Sequence, residues 1–351
     1  MPRSGAKTLA QPGRIRKWII PLWLCTALAL QVAALMTPFL EISMFLKGTE
    51  VYGLWQSVHM LWDEGLYAIV TIVVGFSIIF PFVKLAGLTS AWFLLREPAP
   101  RSRLLGALGT LGKWSMIDPF CVILLVAASS EQWAVAASAR IGIYCFFLAI
   151  VLSMTLSIVM TSIHRTDCPA VPPRATAPFR MATRAGLARS ALVGTMLLLS
   201  LAALALAIDL PFLQIDQFLL RSDAFGITDL GIELAHEAQW PLAALVGIGL
   251  IAAPAATIVL EAWYWLAKAT PEQHLARRHR VAFVAEWSML EVFSLAVVLF
   301  LLEGERFIKT EARGGLWAIV IAALLSIATR RIVHSLALAC LTRPRTSHPK
   351  T

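Results

Sequence analysis

The word Trp114-Ser115-Met116-Ile117-Asp118-Pro119-Phe120 returns as Trp287-Ser288-Met289-Leu290-Glu291-Val292-Phe293, and each copy runs into an apolar segment. The copies lie 173 residues apart. The same spacing separates Pro38-Phe39-Leu40 from Pro211-Phe212-Leu213, Pro81 from Pro254, and Gly142 from Gly315. Several anchors in one register, without net insertion, mean an internal duplication. The chain therefore folds as two copies of one unit, each built around an acidic residue inside an apolar helix.

Hydrophobic residues make up 58% of the 351 and charged residues 15%, against about 25% charged in soluble domains. This predicts an all-α polytopic membrane protein made of two tandem four-helix transmembrane repeats. A bilayer helix needs ~20 apolar residues, and eight such spans fall near 18–38, 65–95, 111–130, 141–163, 187–209, 240–267, 281–302 and 315–341. Residues 1–17 form a basic leading segment, 18–163 the first repeat, 164–186 a Pro- and Arg-rich linker, 187–341 the second repeat and 342–351 a tail. The first apolar run is too long for a signal-peptide core, and its counterpart at 187–209 is internal, so a retained helix is expected.

The formal charge of +9 does not call for nucleic acid, because the basic residues cluster between the spans. With both termini inside, all but six of the 30 lysines and arginines lie on the inner side; the six are Lys47, Arg140, Arg221, Arg306, Lys309 and Arg313. This satisfies the positive-inside rule at every loop. It predicts a multi-pass membrane protein with both termini cytoplasmic. The outer loops, 39–64 and 210–239, are acidic. Alternation at Ile42, Met44 and Leu46 suits a short strand, and Tyr52 to Trp62 suits a surface helix with Trp55, His59 and Trp62 on one face. His59 is read as part of an interfacial aromatic belt. The inner loops, including 96–110 and 268–280, are read as basic connections, with His164, His274, His279 and His334 solvated at inner ends.

The five cysteines include no C-x-x-C pair, so neither a zinc site nor a disulfide framework is expected. No nucleophile–base set, phosphate loop or H-E-x-x-H occurs, so neither enzyme activity nor a cofactor is expected.

The informative residues are charges inside spans. Glu291 lies midway between Arg280 and Glu303, about 16 Å from either flank at ~1.5 Å per residue. A lone charge at that depth costs at least ~2.5–3.5 kcal/mol, so it must be neutral, paired or facing water. Asp118 is shallower. Lys84 lies ~18 Å from Arg96 along its helix and, on an antiparallel neighbour, can reach Asp118. Half one thus has Lys84, Lys113 and Asp118 near its core. Half two has Glu261, Glu286 and Glu291, with Thr257 at the position of Lys84. Cations of one half and carboxylates of the other can pair across the repeat interface. Alternatively, Ser115-x-x-Asp118 and Ser288-x-x-Glu291 are capping boxes at helix starts. Both hold if the helices are broken there, as helices lining transport sites often are.

The two W-S-M-[IL]-[DE]-x-F words, with Pro81-Phe82-Val83-Lys84-Leu85 and Gly142-Ile143-Tyr144, resemble the paraquat-inducible protein A family. That group includes the lipophilic envelope-spanning tunnel A proteins. The resemblance covers about residues 20–165 and 190–340, and half two departs at Ala255-Ala256-Thr257, where the lysine is missing. Many members carry C-x-x-C zinc ribbons, which this chain lacks. The resemblance implies an inner-membrane component of phospholipid transport, partnered by a periplasmic protein with mammalian-cell-entry (MCE) domains. A stress-response scaffold without carrier activity and an ion-coupled small-solute transporter are the alternatives.

Overall fold

The computed structural model describes residues 16–44, 48–63, 65, 67–95, 97–130, 135–167, 178–216, 222–304 and 310–342. Half one opens with α1 (Arg16–Met36), the hairpin β1 (Pro38–Met44) and β2 (Gly48–Gly53), and the short α2 (Leu54–Asp63). It continues through α3 (Tyr67–Val73), a π-helical segment (Val74–Ile79), α4 (Phe80–Phe93) and α5 (Pro98–Gly112). A 3-10 turn (Lys113–Met116), α6 (Ile117–Ser130), β3 (Val135–Ala139) and α7 (Ile141–Asp167) complete it. After the short α8 (Met181–Ala185), half two repeats the plan. Its elements are α9 (Leu187–Asp209), β4 (Leu213–Asp216), β5 (Ser222–Phe225), α10 (Ile227–His236), α11 (Trp240–Val246), a second π segment (Gly247–Ala252) and α12 (Ala253–Leu266). Then come α13 (Pro271–Trp287), α14 (Leu290–Gly304), β6 (Thr310–Ala312) and α15 (Gly314–Thr342).

The 173-residue register survives into irregular structure. Both π segments sit at equivalent positions, each followed by the repeated proline, Pro81 or Pro254. Proline has no amide to close the α-helical bond to the residue four back, so the preceding turn widens. In half one the carbonyl of Ser77, four before Pro81, accepts instead from Gln31 Nε2 at 3.5 Å. In half two it is the carbonyl of Gly249, five before Pro254, that finds an outside donor, the amide of Met289 at 3.0 Å.

Each half carries a three-stranded antiparallel sheet, ordered β2-β1-β3 and β5-β4-β6, with Leu40 opposite Ala139 and Leu213 opposite Ala312. The repeated glycines explain how the last helix docks beneath each sheet. A Cβ on Gly142 would lie 2.5 Å from the Pro38 carbonyl oxygen, and one on Gly315 would lie 2.4 Å from those of Leu210 and Pro211. Only glycine permits that approach, and Gly315 N–H uses it to donate to Pro211 at 3.0 Å. An ion pair between Glu41 and Arg140 closes the first sheet.

In each half the first helix packs along the last, α1 on α7 and α9 on α15, while α6 and α14 join the halves. There the equivalent rings of Phe120 and Phe293 meet edge to face, 5.3 Å apart. Self-contact between equivalent residues is what a two-fold relation between the repeats requires. The main hydrophobic core runs through this contact into both halves, and a smaller cluster around Leu88, Trp92 and Leu105 fills half one.

Seven helical stretches among the described residues are long and apolar enough to cross a membrane. They are Trp18–Met36, Val74–Phe93, Ile141–His164, Leu187–Asp209, Trp240–Leu266, Pro271–Leu301 and Gly314–Cys340. The expected third span, 111–130, is not among them. The 3-10 turn cuts it and leaves α6 with 14 residues. Its counterpart reaches that length only across a break at Ser288–Met289, so the continuous helix expected over 281–302 is two helices. The segments read as loops at 96–110 and 268–280 are instead mostly α5 and the start of α13, each with proline in its first turn. Thr270 and Gln273 form a reciprocal capping box there. Two histidines read as solvated are buried: His164 Nδ1 accepts from Arg101 Nε at 3.0 Å, and His274 stacks on Phe179. His279 and His334 are exposed as expected, and α2 presents Trp55, His59 and Trp62 on an exposed face.

Candidate functional site

Both organising words lie at helix breaks, and the breaks set the side chains around them. Ser288 leaves α13 with extended backbone (φ −74°, ψ 107°), so α14 restarts two residues later and holds Glu291 in its first turn. Free amides and the helix dipole favour a carboxylate at such a place. In half one the 3-10 turn performs the same break, placing Lys113 in the turn and Asp118 in the first turn of α6.

Lys113, 8% exposed, donates from Nζ to Glu291 Oε2, so the repeats are joined through one buried ion pair. Glu291 Oε1 lies 3.9 Å from Arg330 NH2, and Arg330 Nε lies 4.0 Å from Glu261 Oε1. The Glu286 carboxylate acts electrostatically on both Lys113 and Lys84. Six charges therefore alternate in sign through the bundle: Lys84, Glu286, Lys113, Glu291, Arg330 and Glu261. Their sum is zero. They come from α4, α13, the 3-10 turn, α14, α15 and α12, which brings half one to half two at the level of the helix breaks. Each charge has an opposite neighbour, as charges in a bilayer interior require.

Lys84 departs from expectation. Its Nζ is buried without a hydrogen-bond partner, and its opposite charge is Glu286 rather than Asp118. It lies against α5, where a Cβ on Gly112 would be 2.7 Å from the ammonium. Asp118 stands off the chain near Ser77, and its Oδ2 is buried without a hydrogen-bond partner. The repeat register explains this. Glu286 is the counterpart of Lys113, and Glu291 that of Asp118, so a faithful two-fold copy of the Lys113–Glu291 pair would oppose two acids, Glu286 and Asp118. The duplication has diverged, and Lys84 meets Glu286 instead.

Among the remaining expected residues, Ser115 is buried with no partner for Oγ. Thr257 bonds back to the Ala253 carbonyl at 2.7 Å. Thr257, Glu261 and Ser288 line a small cavity of ≈ 10 Å³ with Ser200, Thr329 and Arg330, about the volume that holds one water. Ser115-x-x-Asp118 does not close as a capping box, since the Ser115 hydroxyl is unpaired.

Sequence reasoning missed Arg330, Gly112 and Ser77. Arg330 carried a signal: it is 12 residues from the end of α15, ~18 Å along the axis, the depth that marked Lys84. Gly112 and Ser77 carried none, because their importance lies in which side chain sits beside them.

The description "paraquat-inducible protein A" matches the sequence twice, over residues 19–164 and 191–338. These matches are the two structural repeats and cover most of the chain. No curated protein and no solved structure matches it. With both repeats matched and both organising words at equivalent helix breaks, the chain belongs to the paraquat-inducible protein A family of multi-pass membrane proteins.

Proposed function

We propose that this protein is an inner-membrane lipid carrier that moves phospholipid between the bilayer and a periplasmic tunnel partner built from MCE domains. The alternating charge chain carries the reading. It crosses the interface between two repeats at the level where both organising segments break, and charge buried there is retained for a function or a switch rather than for stability alone. Broken helices around polar groups at the interface of parallel repeats are a recurrent transporter arrangement. In this reading the sheets face the periplasm and the partner, and the basic end of the bundle faces the cytoplasm. Substrate passage separates the repeats and exchanges the Lys113–Glu291 contact for contacts to a headgroup.

The scaffold alternative uses the same ion pair as a fixed staple. Reconstituted vesicles separate the two. The purified protein in liposomes should exchange fluorescent phospholipid with an acceptor MCE-domain protein, and Lys113→Met should abolish exchange while leaving acceptor binding intact. Partner binding with no exchange by the unaltered protein would establish the scaffold and refute the carrier.

A further inference from the structure

A second cavity opens at the basic end of half two, outside the charge chain but sharing its floor. It has a volume of ≈ 170 Å³ and lies between α12, α13 and α15. Its polar wall is Tyr264, Arg278, His279 and His334, and its floor is Arg330 and Glu261. Two of these groups are built for an occupant that the folded chain does not supply. Tyr264 is 3% exposed, and its hydroxyl has no hydrogen-bond partner. Arg330 lies at the floor with Nε and NH2 making no hydrogen bond, only ion-pair contacts of 4.0 Å to Glu261 and 3.9 Å to Glu291.

A buried phenol without a partner loses roughly 1–3 kcal/mol. A ligand with acceptor oxygens recovers that loss. The charges select the ligand further. Glu261, 4.0 Å from Arg330, offsets that guanidinium on the floor. Among the described residues Arg278 has no such acid: its NH2 lies 3.0 Å from His334 Nε2, which accepts as a neutral ring and leaves the positive charge in place. With His334 accepting as a neutral ring, Arg278, Arg330 and Glu261 give the cavity one net positive charge, surrounded mainly by N–H and O–H donors. Guanidinium groups favour phosphate oxygens, to which they present planar forked donors. One net charge favours a monoanion over a dianion.

We infer that the cavity between α12, α13 and α15 binds a phosphodiester monoanion, held by Arg278, Arg330 and the Tyr264 hydroxyl. The inference deepens the lipid-carrier reading and rests on it for the source of the ligand: the charged end of the bundle is where phospholipid headgroups lie, so a diester headgroup enters here before it meets the charge chain. A soluble phosphate would satisfy the same donors less well, being partly dianionic.

The test uses the purified full chain in non-ionic detergent and a fluorescent short-chain phosphatidylglycerol. Saturable binding is expected, competed by unlabelled dihexanoyl phosphatidylglycerol. Arg278→Gln should weaken it at least tenfold and Tyr264→Phe several-fold, while Arg278→Lys keeps most of it. Inorganic phosphate that competes only at far higher concentration identifies the lipid headgroup; phosphate that competes equally identifies the free anion, and both outcomes support an anion site. The inference is overturned if the matching fluorescent diacylglycerol, which lacks phosphate, binds as tightly. It is equally overturned if the variants, monodisperse on size exclusion, bind like the unaltered protein. Tyr264→Phe removes one hydroxyl from a buried ring and keeps the test decisive if Arg278→Gln fails to fold. No saturable binding by the unaltered protein, with its vesicle exchange intact, refutes this site and leaves the carrier reading standing, whereas binding without exchange does the reverse.

Discussion

Replacing Glu291 by glutamine removes a charge that faces Lys113 and Arg330 at once. The guanidinium lies 3.9 Å away, where a unit pair interacts by ~4 kcal/mol at an effective dielectric of about 20. Lys113 is in direct contact. Lys113 resists relocation, because it is 8% exposed and anchored in a 3-10 turn. Stranding a buried charge by removing its partner costs ~3–5 kcal/mol, so Glu291→Gln should be destabilised by about that amount. Lys113→Met should lose somewhat less, because Glu291 keeps Arg330. The double variant removes both members and should recover ~1.5–3 kcal/mol relative to the sum of the single losses. Thermal unfolding of detergent-purified protein, read by fluorescence-detected size exclusion, should show Glu291→Gln lowered by on the order of 10 °C. The double variant should melt above the value expected from adding the two shifts. Losses that add within ~0.5 kcal/mol would mean that the pair is not energetically coupled, and the charge chain would then be a coincidence of position.

Three other outcomes follow from particular residues. Gly142→Ala and Gly315→Ala each drive a Cβ into backbone carbonyls at 2.5 Å or less, so each should cost about 1–3 kcal/mol in the same thermal assay, with similar losses at the two sites. Gly112→Ala pushes on the Lys84 ammonium at 2.7 Å; it should impair lipid exchange, and combining it with Lys84→Met should add little further loss. Cysteines placed in a cysteine-free background at 56 and 233 should react with an impermeant reagent from outside the cell, and one at 175 should react only after permeabilisation. Labelling of 175 from outside would reverse the orientation.

Much of the fold is legible in the sequence because a duplication multiplies weak signals. A lone Pro81 or Gly142 says little, but each recurs 173 residues later, and each proves to have a backbone cause: a widened turn and a close approach. That Glu291 sits in an apolar run and needs an opposite charge was also readable, and Lys113 supplies it. Direction around a helix axis was not. Lys84 and Asp118 lie at depths that allow contact, yet the 3-10 turn rotates Asp118 towards Ser77, while α5 offers Lys84 the space beside Gly112. The third span failed for the same reason: hydropathy records where apolar residues lie, not where the backbone changes period. Arg330 was visible as a charge in an apolar run but was counted only among the inner-side basic residues, because its partners come from two other helices, α12 and α14.

The bond from Met289 N–H to the Gly249 carbonyl makes two departures from helical regularity depend on each other. The break between α13 and α14 leaves an amide without its usual acceptor, and the π segment leaves a carbonyl without its usual donor. Each defect supplies what the other lacks, so neither can be repaired alone. A substitution that restored a regular helix at 247–252 would draw Gly249's oxygen back into the ladder and orphan Met289's amide inside the protein. Sequence drift at either place is therefore constrained by the other, and the site that holds Glu291 inherits its position from a helix two elements away.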